Sequence, residues 1–133
     1  MNTNEFLKKF YSAKLVGLGA RAVTVQDIRP WAVCADGFAI SIQASQYHYC
    51  TPRKDGQIDY KQVELGYPSK EEEMILDFAE DPDDLTNTVY GYVPVEVVDK
   101  MLEKHGGITA YKSQRSENIV KITDGKCGRF PWG

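Results

Sequence analysis

The sequence predicts an α+β fold: an antiparallel sheet built around an Asp-Gly hairpin, with two principal helices packed on it. Three observations carry that expectation. Residues 31–45, WAVCADGFAISIQAS, set Asp36-Gly37 between two runs that alternate with period two, and this pair favours a two-residue type I′ turn. Ser69, with Glu72 three residues on, makes a capping box ahead of Met74, Ile75 and Phe78. Val97, Val98, Met101 and Leu102 fall at helical spacing between Pro94, suited to a first helical position, and Gly106, suited to a C-terminal cap.

The remaining elements follow in chain order. NEFLKKFYSAKLVGL places Phe6, Leu7, Phe10, Tyr11 and Leu15 near helical spacing, a short amphipathic helix ended by Gly17 and Gly19. RAVTVQDI alternates as a strand, with Pro30 tolerable only at its end or on an edge. Closing a two-residue turn pairs Ala35 with Phe38, Val33 with Ile40 and Trp31 with Ile42, and puts all six on the core side. The opposite face then carries Ala32, Cys34, Ala39, Ser41, Gln43 and Ser45, without a charge, as if a helix, a second subunit or a ligand packs there. QYHYCTPR, residues 46–53, continues the second strand until Pro52 ends pairing and presents Arg53. YKQVELGY, VYGYV and NIVKIT supply further strands, EDPDDLTNT is a loop, and Phe130 and Trp132 are expected to dock.

With 133 residues the chain is expected to form one domain, its ends 1–20 and 123–133 peripheral. No apolar run approaches a membrane span, and the N-terminus lacks a signal peptide's apolar segment, so a cytosolic protein is expected. Cys34, Cys50 and Cys127, an odd number without C-x-x-C spacing, read as free thiols.

Net charge is −3, unevenly spread. Eight of the nineteen acids lie in residues 71–84 with no base among them, so eleven acids face sixteen Lys and Arg elsewhere and the remainder is net +5. The run suits either a solvated face or a surface for a basic partner. Five scattered arginines make no nucleic-acid-binding stripe.

Catalytic signatures are missing. No P-loop, dinucleotide fingerprint or G-x-S-x-G occurs, a His48–Cys50 pair two apart on a strand has no family signature around it, and EDPDDLTNT lacks the ligand order of a calcium loop. No metal or cofactor is expected. The chain does carry groups able to hold a nucleotide: Arg29, Arg53 and Arg115 for phosphates, Tyr47, Tyr49, Phe78, Tyr90 and Tyr92 for stacking, and Gln43, Ser45, Asn87 and Thr88 for a base edge or ribose. Each has a structural alternative, Phe78 as core above all. The combination meets the description of a small-ligand site.

ADGFAISIQASQYHYCTPR, VELGYPS, AEDPDDLTNTVYGYVPVEVV and EKHGGI, within about residues 31–108, resemble small proteins of phages and prophages. The pattern is similar to the first-described Thoeris anti-defence family. That resemblance implies a sponge that binds cyclic ADP-ribose-type immune signals, chiefly glycosyl-cyclic ADP-ribose, without cleaving them. It implies a homo-oligomer, dimer or hexamer, acting in the cytoplasm of an infected bacterium, and in some members separate pockets for cyclic oligonucleotides. The resemblance implies arginines on the phosphates and an aromatic ring near the adenine, partly across a subunit interface; Arg29, Phe78, Asn87 and Arg115 are the residues of this chain whose chemistry and location suit those roles. Gln43, Tyr49, Arg53 and Tyr90 join them as candidate ligand-binding residues. Two other functions fit the residues: an acidic inhibitor of a host defence complex that uses Glu71, Glu72, Glu73 and Asp77 to mimic nucleic acid, and a hydrolase of the signal using His48 or Cys50.

Overall fold

The computed structural model describes residues 1–123. Cys127, Arg129 and the expected docking of Phe130 and Trp132 lie outside the described residues. Among the described residues, eight strands and two α-helices make an α+β arrangement. The helices are α1 (Thr3–Lys9) and α2 (Val95–Lys104). The strands are β1 (Ala13–Val16), β2 (Val23–Gln26), β3 (Trp31–Cys34), β4 (Ala39–Gln43), β5 (Gln62–Gly66), β6 (Val89–Pro94), β7 (Ile108–Lys112) and β8 (Ile119–Lys121). β1 and β2 form a separate ribbon, and the other six make one sheet in the order β6-β5-β4-β3-β7-β8, every pairing antiparallel.

The first helix is shorter than the sequence predicts. Asn2 and Glu5 form a capping box, and the helix stops at Lys9, so Leu15 lies in β1 and the left-handed Gly17 and Gly19 turn the ribbon instead of ending a helix. The strand β7, a run not foreseen, fills the position between β3 and β8.

The β3–β4 register corrects the expected one by a residue. Trp31 faces Ser41, Ala32 faces Ile40 and Val33 faces Ala39, so the connection is three residues, Ala35–Gly37, with Gly37 left-handed. Tertiary bonds select it: Asp36 accepts from the Phe38 amide, its other oxygen meets the His105 ring, and the Ala35 amide donates to Gly107 O. Phe38, Ile40 and Ile42 keep their expected core side, but on β3 a one-residue slip sends Ala32 and Cys34 inward and Trp31 and Val33 to the other face.

α2 lies close to its expected position, with Pro94 as its N-cap residue. Its end is a Schellman closure: Gly106 N donates to Glu103 O and Gly107 N to Leu102 O. The Ser69–Glu72 capping box does not form. Ser69 exchanges bonds with Ala39 at the end of β4, while Glu72 is the N-cap of a 3₁₀ helix, Glu73–Phe78. Glu72 is drawn away because its buried carboxylate lies 2.7 Å from His105 Nε2 and 3.1 Å from Lys104 Nζ, while His105 Nδ1 lies 2.6 Å from Asp36 and its ring stacks on Phe38.

QYHYCTPR also departs from expectation. β4 ends at Gln43, the chain turns where His48 N donates to Ser45 O, and only Thr51 rejoins the sheet, opposite Gln62. The cause is local competition for β4's last backbone groups. Ala44 O accepts from both the Gln26 side chain and Arg29 Nη1 and is spent. Arg29 is 1% exposed, and its Nε donates to Leu7 O at the end of α1. Its backbone amide and carbonyl are clasped by the Gln43 side-chain amide.

Arg29→Ala is expected to lower unfolding free energy by about 3 kcal/mol in urea titrations, since the buried Leu7 O loses its donor at roughly 1–3 kcal/mol, Ala44 O keeps only Gln26, and truncating a buried side chain leaves a cavity. Acid should destabilise the fold through three groups of the same sign. The Phe38 amide and His105 hold Asp36 below its ordinary value; burial would raise Glu72, but the Met74 amide, His105 and Lys104 outweigh it and lower it; burial lowers His48 against the pull of Glu64. Each binds fewer protons folded than unfolded, so stability is complete above the ordinary histidine value of about 6.5. It is then lost, through His48 first and the carboxylates below about pH 4 next, as pH falls through the depressed folded values. Thermal melts from pH 8 to 3 should show Tm falling monotonically below about pH 6.5; a Tm that rises on acidification contradicts the network.

Candidate functional site

Cross-strand partners share a face, so the register gives the contents of the side opposite the core. Lys112, Trp31, Ser41, Gly66 and Val89 form one row across β7, β3, β4, β5 and β6, and Gln43 and Glu64 form another. The side chains of α1 and α2 pack in a core that takes Ala32, Cys34, Ile40, Ile42, Val63 and Leu65 from the sheet and none of these seven. The helices therefore cover one face only.

On the other face, QYHYCTPR comes back against β6. β6 bulges there: Val93 faces Val63 and Tyr90 faces Leu65, which leaves Gly91 and Tyr92 opposing the single residue Glu64. Tyr92 N donates to Tyr49 O at 2.9 Å, and Tyr49 N donates to the Glu64 carboxylate at 3.0 Å. Glycine at 91 eases the approach, because a Cβ there would stand 3.2 Å from Tyr49 Cβ, closer than ordinary contact. The Tyr49 and Tyr92 rings stack with centroids 5.8 Å apart, and the Arg53 guanidinium carbon lies 5.5 Å from the Tyr49 centroid. Both rings are about two-fifths exposed, at 41% and 42%. Arg53 has no ion-pair partner among the described residues. An aromatic stack with a free guanidinium over it can hold a planar ring and an attached anion.

Tyr92 adopts φ +53°, a left-handed conformation that costs a residue with a Cβ roughly 1–2 kcal/mol. Strain of that size persists where the surroundings impose it, and binding sites are frequent locations.

The other sequence candidates divide. Arg29, Gln43 and Tyr90, expected to touch ligand, are buried with their polar groups engaged inside the fold, Tyr90 by its hydroxyl on Leu85 O. Phe78 is half-buried against the core, the alternative role considered for it. Asn87 is exposed in the acidic loop and bonded to Asp84. Arg115 is exposed at a separate cleft of about 680 Å³ between the ribbon and the β7–β8 connection, with Lys14, Ile28 and Tyr111. Of the eight, Tyr49 meets Arg53 at the surface and Arg29 meets Gln43 in the interior. Glu64 and Gly91 went unnoticed; the one signal for them was a lone glycine within VYGYV, which marks a bulge or a close backbone approach.

The proposed hydrolytic pair has the wrong chemistry for a nucleophile. Cys50 is buried, donates to Ser45 O at 3.2 Å, and burial pushes its thiol up, away from thiolate. His48 Nδ1 is held by Ser45 Oγ at 2.6 Å. Within the acidic run, Glu72 is buried in the His105 network and Glu73 pairs with Lys104 at 3.6 Å, so two of the four acids assigned to nucleic-acid mimicry have structural partners. Among the described residues no helix is long and apolar enough to cross a membrane.

Comparison of the chain with protein-family models, with curated proteins and with solved structures finds no match.

Tyr92→Gly is expected to leave unfolding free energy within about 0.5 kcal/mol of the parent, relief of left-handed strain offsetting the lost ring. A drop beyond about 2 kcal/mol would show that the ring, and not the backbone constraint, dominates at this position.

Proposed function

We propose that this protein binds and sequesters a cyclic nucleotide immune signal, glycosyl-cyclic ADP-ribose or a close isomer, without cleaving it. The observation that carries the proposal is the exposed stack of Tyr49 and Tyr92 with the Arg53 guanidinium over it. The ring pair takes the adenine by stacking, Arg53 takes the phosphates, and the Glu64 carboxylate beside them can accept a ribose hydroxyl. Binding without turnover is supported by the buried, raised Cys50 thiol and by the burial of Ser45, the hydroxyl that His48 bonds, which keeps both groups from an approaching ligand. The resemblance to the Thoeris anti-defence family points the same way, to an anti-defence protein of a phage acting in the cytoplasm of its host. A homo-oligomer, dimer or hexamer, belongs to the same reading, and the ribbon's exposed Leu15, Leu18 and Val23 support self-association.

Retention and release tests the proposal. Protein is mixed with glycosyl-cyclic ADP-ribose isomers and filtered, the filtrate is chromatographed, and the retained protein is heated and chromatographed again. The expected result is a compound missing from the filtrate and recovered intact on heating. Tyr49→Ala and Arg53→Ala should each weaken retention about tenfold or more, the equivalent of one lost stack or charge-assisted contact, while Arg115→Ala changes it little. Passage of every isomer into the filtrate contradicts binding, and recovery of altered product contradicts sequestration.

A further inference from the structure

The cleft of about 680 Å³ between the ribbon and the β7–β8 connection lies apart from the tyrosine stack, and none of Tyr49, Tyr92 and Arg53 lines it. That volume falls in the range of small-molecule sites. Bonds to the rest of the fold fix the cleft on both sides. On the ribbon side the Asp27 amide donates to Ser12 O, and the Gln26 side chain donates to Ala44 O and accepts from the Gly56 amide. On the sheet side the Gln114 side-chain amide donates to Arg29 O at 3.0 Å, the Tyr111 ring packs on Phe10 with centroids 4.8 Å apart, and Ser113 Oγ accepts from the Arg115 amide. Walls held in this way are formed before a ligand arrives, which lowers the cost of binding.

The lining limits the occupant. Val25, Ile28, Pro30 and Tyr111 supply apolar surface, and Ile28 is 63% exposed. Three ionised side chains line the same cleft: Lys14, Asp27 and Arg115. Lys14 Nζ and Asp27 Oδ1 lie 3.7 Å apart and cancel, while Asp27 Oδ2 accepts from Ser12 Oγ at 3.1 Å. Arg115 has no ion-pair partner among the described residues. The cleft therefore carries one net positive charge. It sits on a guanidinium, whose planar fork matches a carboxylate through two parallel hydrogen bonds. A pyrophosphate or a run of phosphates is a poor match, because its further charges would face Asp27.

We propose that this cleft is a second binding site, for a monocarboxylate with a planar apolar body. The body packs against Ile28 and Tyr111, and the carboxylate pairs with the Arg115 guanidinium. The site is independent of the nucleotide reading of Tyr49, Tyr92 and Arg53, and each stands without the other.

Calorimetric titration of the full chain with naphthoate, its neutral amide naphthamide and the dianion naphthalene dicarboxylate tests the proposal. Naphthoate is expected to bind about tenfold or more tightly than naphthamide, the equivalent of one charge-assisted contact, and the dicarboxylate should gain little over naphthoate. Arg115→Ala should bring the naphthoate-to-naphthamide ratio close to one. Ile28→Ser should weaken both compounds alike and leave the ratio unchanged. Both variants alter exposed side chains, so the fold is preserved. Tyr49→Ala should leave naphthoate binding as it was. A naphthoate Kd above about 1 mM, equal binding of acid and amide, a ratio that survives Arg115→Ala, or naphthoate binding lost with Tyr49 each overturns the proposal. A dicarboxylate bound about tenfold more tightly than naphthoate overturns it in favour of a polyanion. None of these outcomes bears on the nucleotide reading, which retention of glycosyl-cyclic ADP-ribose decides.

Discussion

The buried side chain of Arg29 fixes the geometry on which the candidate site depends. Its guanidinium joins the end of α1, through Leu7 O, to the end of β4, through Ala44 O, and the Gln43 amide clasps its backbone from β4. Burial lowers its affinity for the proton, and the nearby Tyr60 and Cys50 groups offset part of that effect. A cation stripped of water and held by carbonyls tolerates little movement, because each lost bond would leave a buried group unsatisfied. With Ala44 O occupied, β4 cannot extend its ladder, so the next residues turn out of the sheet. That turn returns Tyr49 to the sheet beside the β6 bulge. The position of the exposed tyrosine pair thus follows from the bond network at the end of β4.

The other end of β4 is held by a second polar knot. His105 joins Asp36 in the β3–β4 connection to Glu72 at the head of the 3₁₀ helix, and Lys104 closes the network. Between the two knots the core is apolar, with Ile40, Ile42, Leu65 and Val63 against Phe6, Leu7, Met101 and Leu102. Hydrophobic burial supplies the driving force, and the knots select the register and the points where the chain leaves the sheet. A sheet restrained at both ends is a rigid platform, and rigidity lowers the ordering cost of stacking a ligand on its surface.

Periodicity revealed those parts of the fold that rest on local pattern. Phe38, Ile40 and Ile42 read correctly as core from alternation, and α2 read correctly from its apolar spacing and Gly106. Where a distant residue decides, the pattern misleads. Asp36-Gly37 favours a two-residue turn in isolation, yet His105, sixty-nine residues away, holds Asp36 in a three-residue one and turns over the face of β3. Ser69 and Glu72 have the spacing of a capping box, but Ala39 and His105 claim them.

The site was partly legible for the same reason. Arg29 and Arg53 are chemically equivalent in a sequence, and only their surroundings separate a buried staple from a free guanidinium. Tyr90 and Tyr92 lie two apart and would share a face in a regular strand. The bulge opposite Glu64 sends one into the core and the other into solvent. The aromatic density of QYHYCTPR was visible, but its destination against Gly91 was not, because the contact joins segments about forty residues apart. The most direct measurement is hydrogen–deuterium exchange with and without glycosyl-cyclic ADP-ribose. Added protection in residues 46–53 and 89–93, with none in 111–115, is predicted; protection confined to the cleft around Arg115 would contradict the placement of the site.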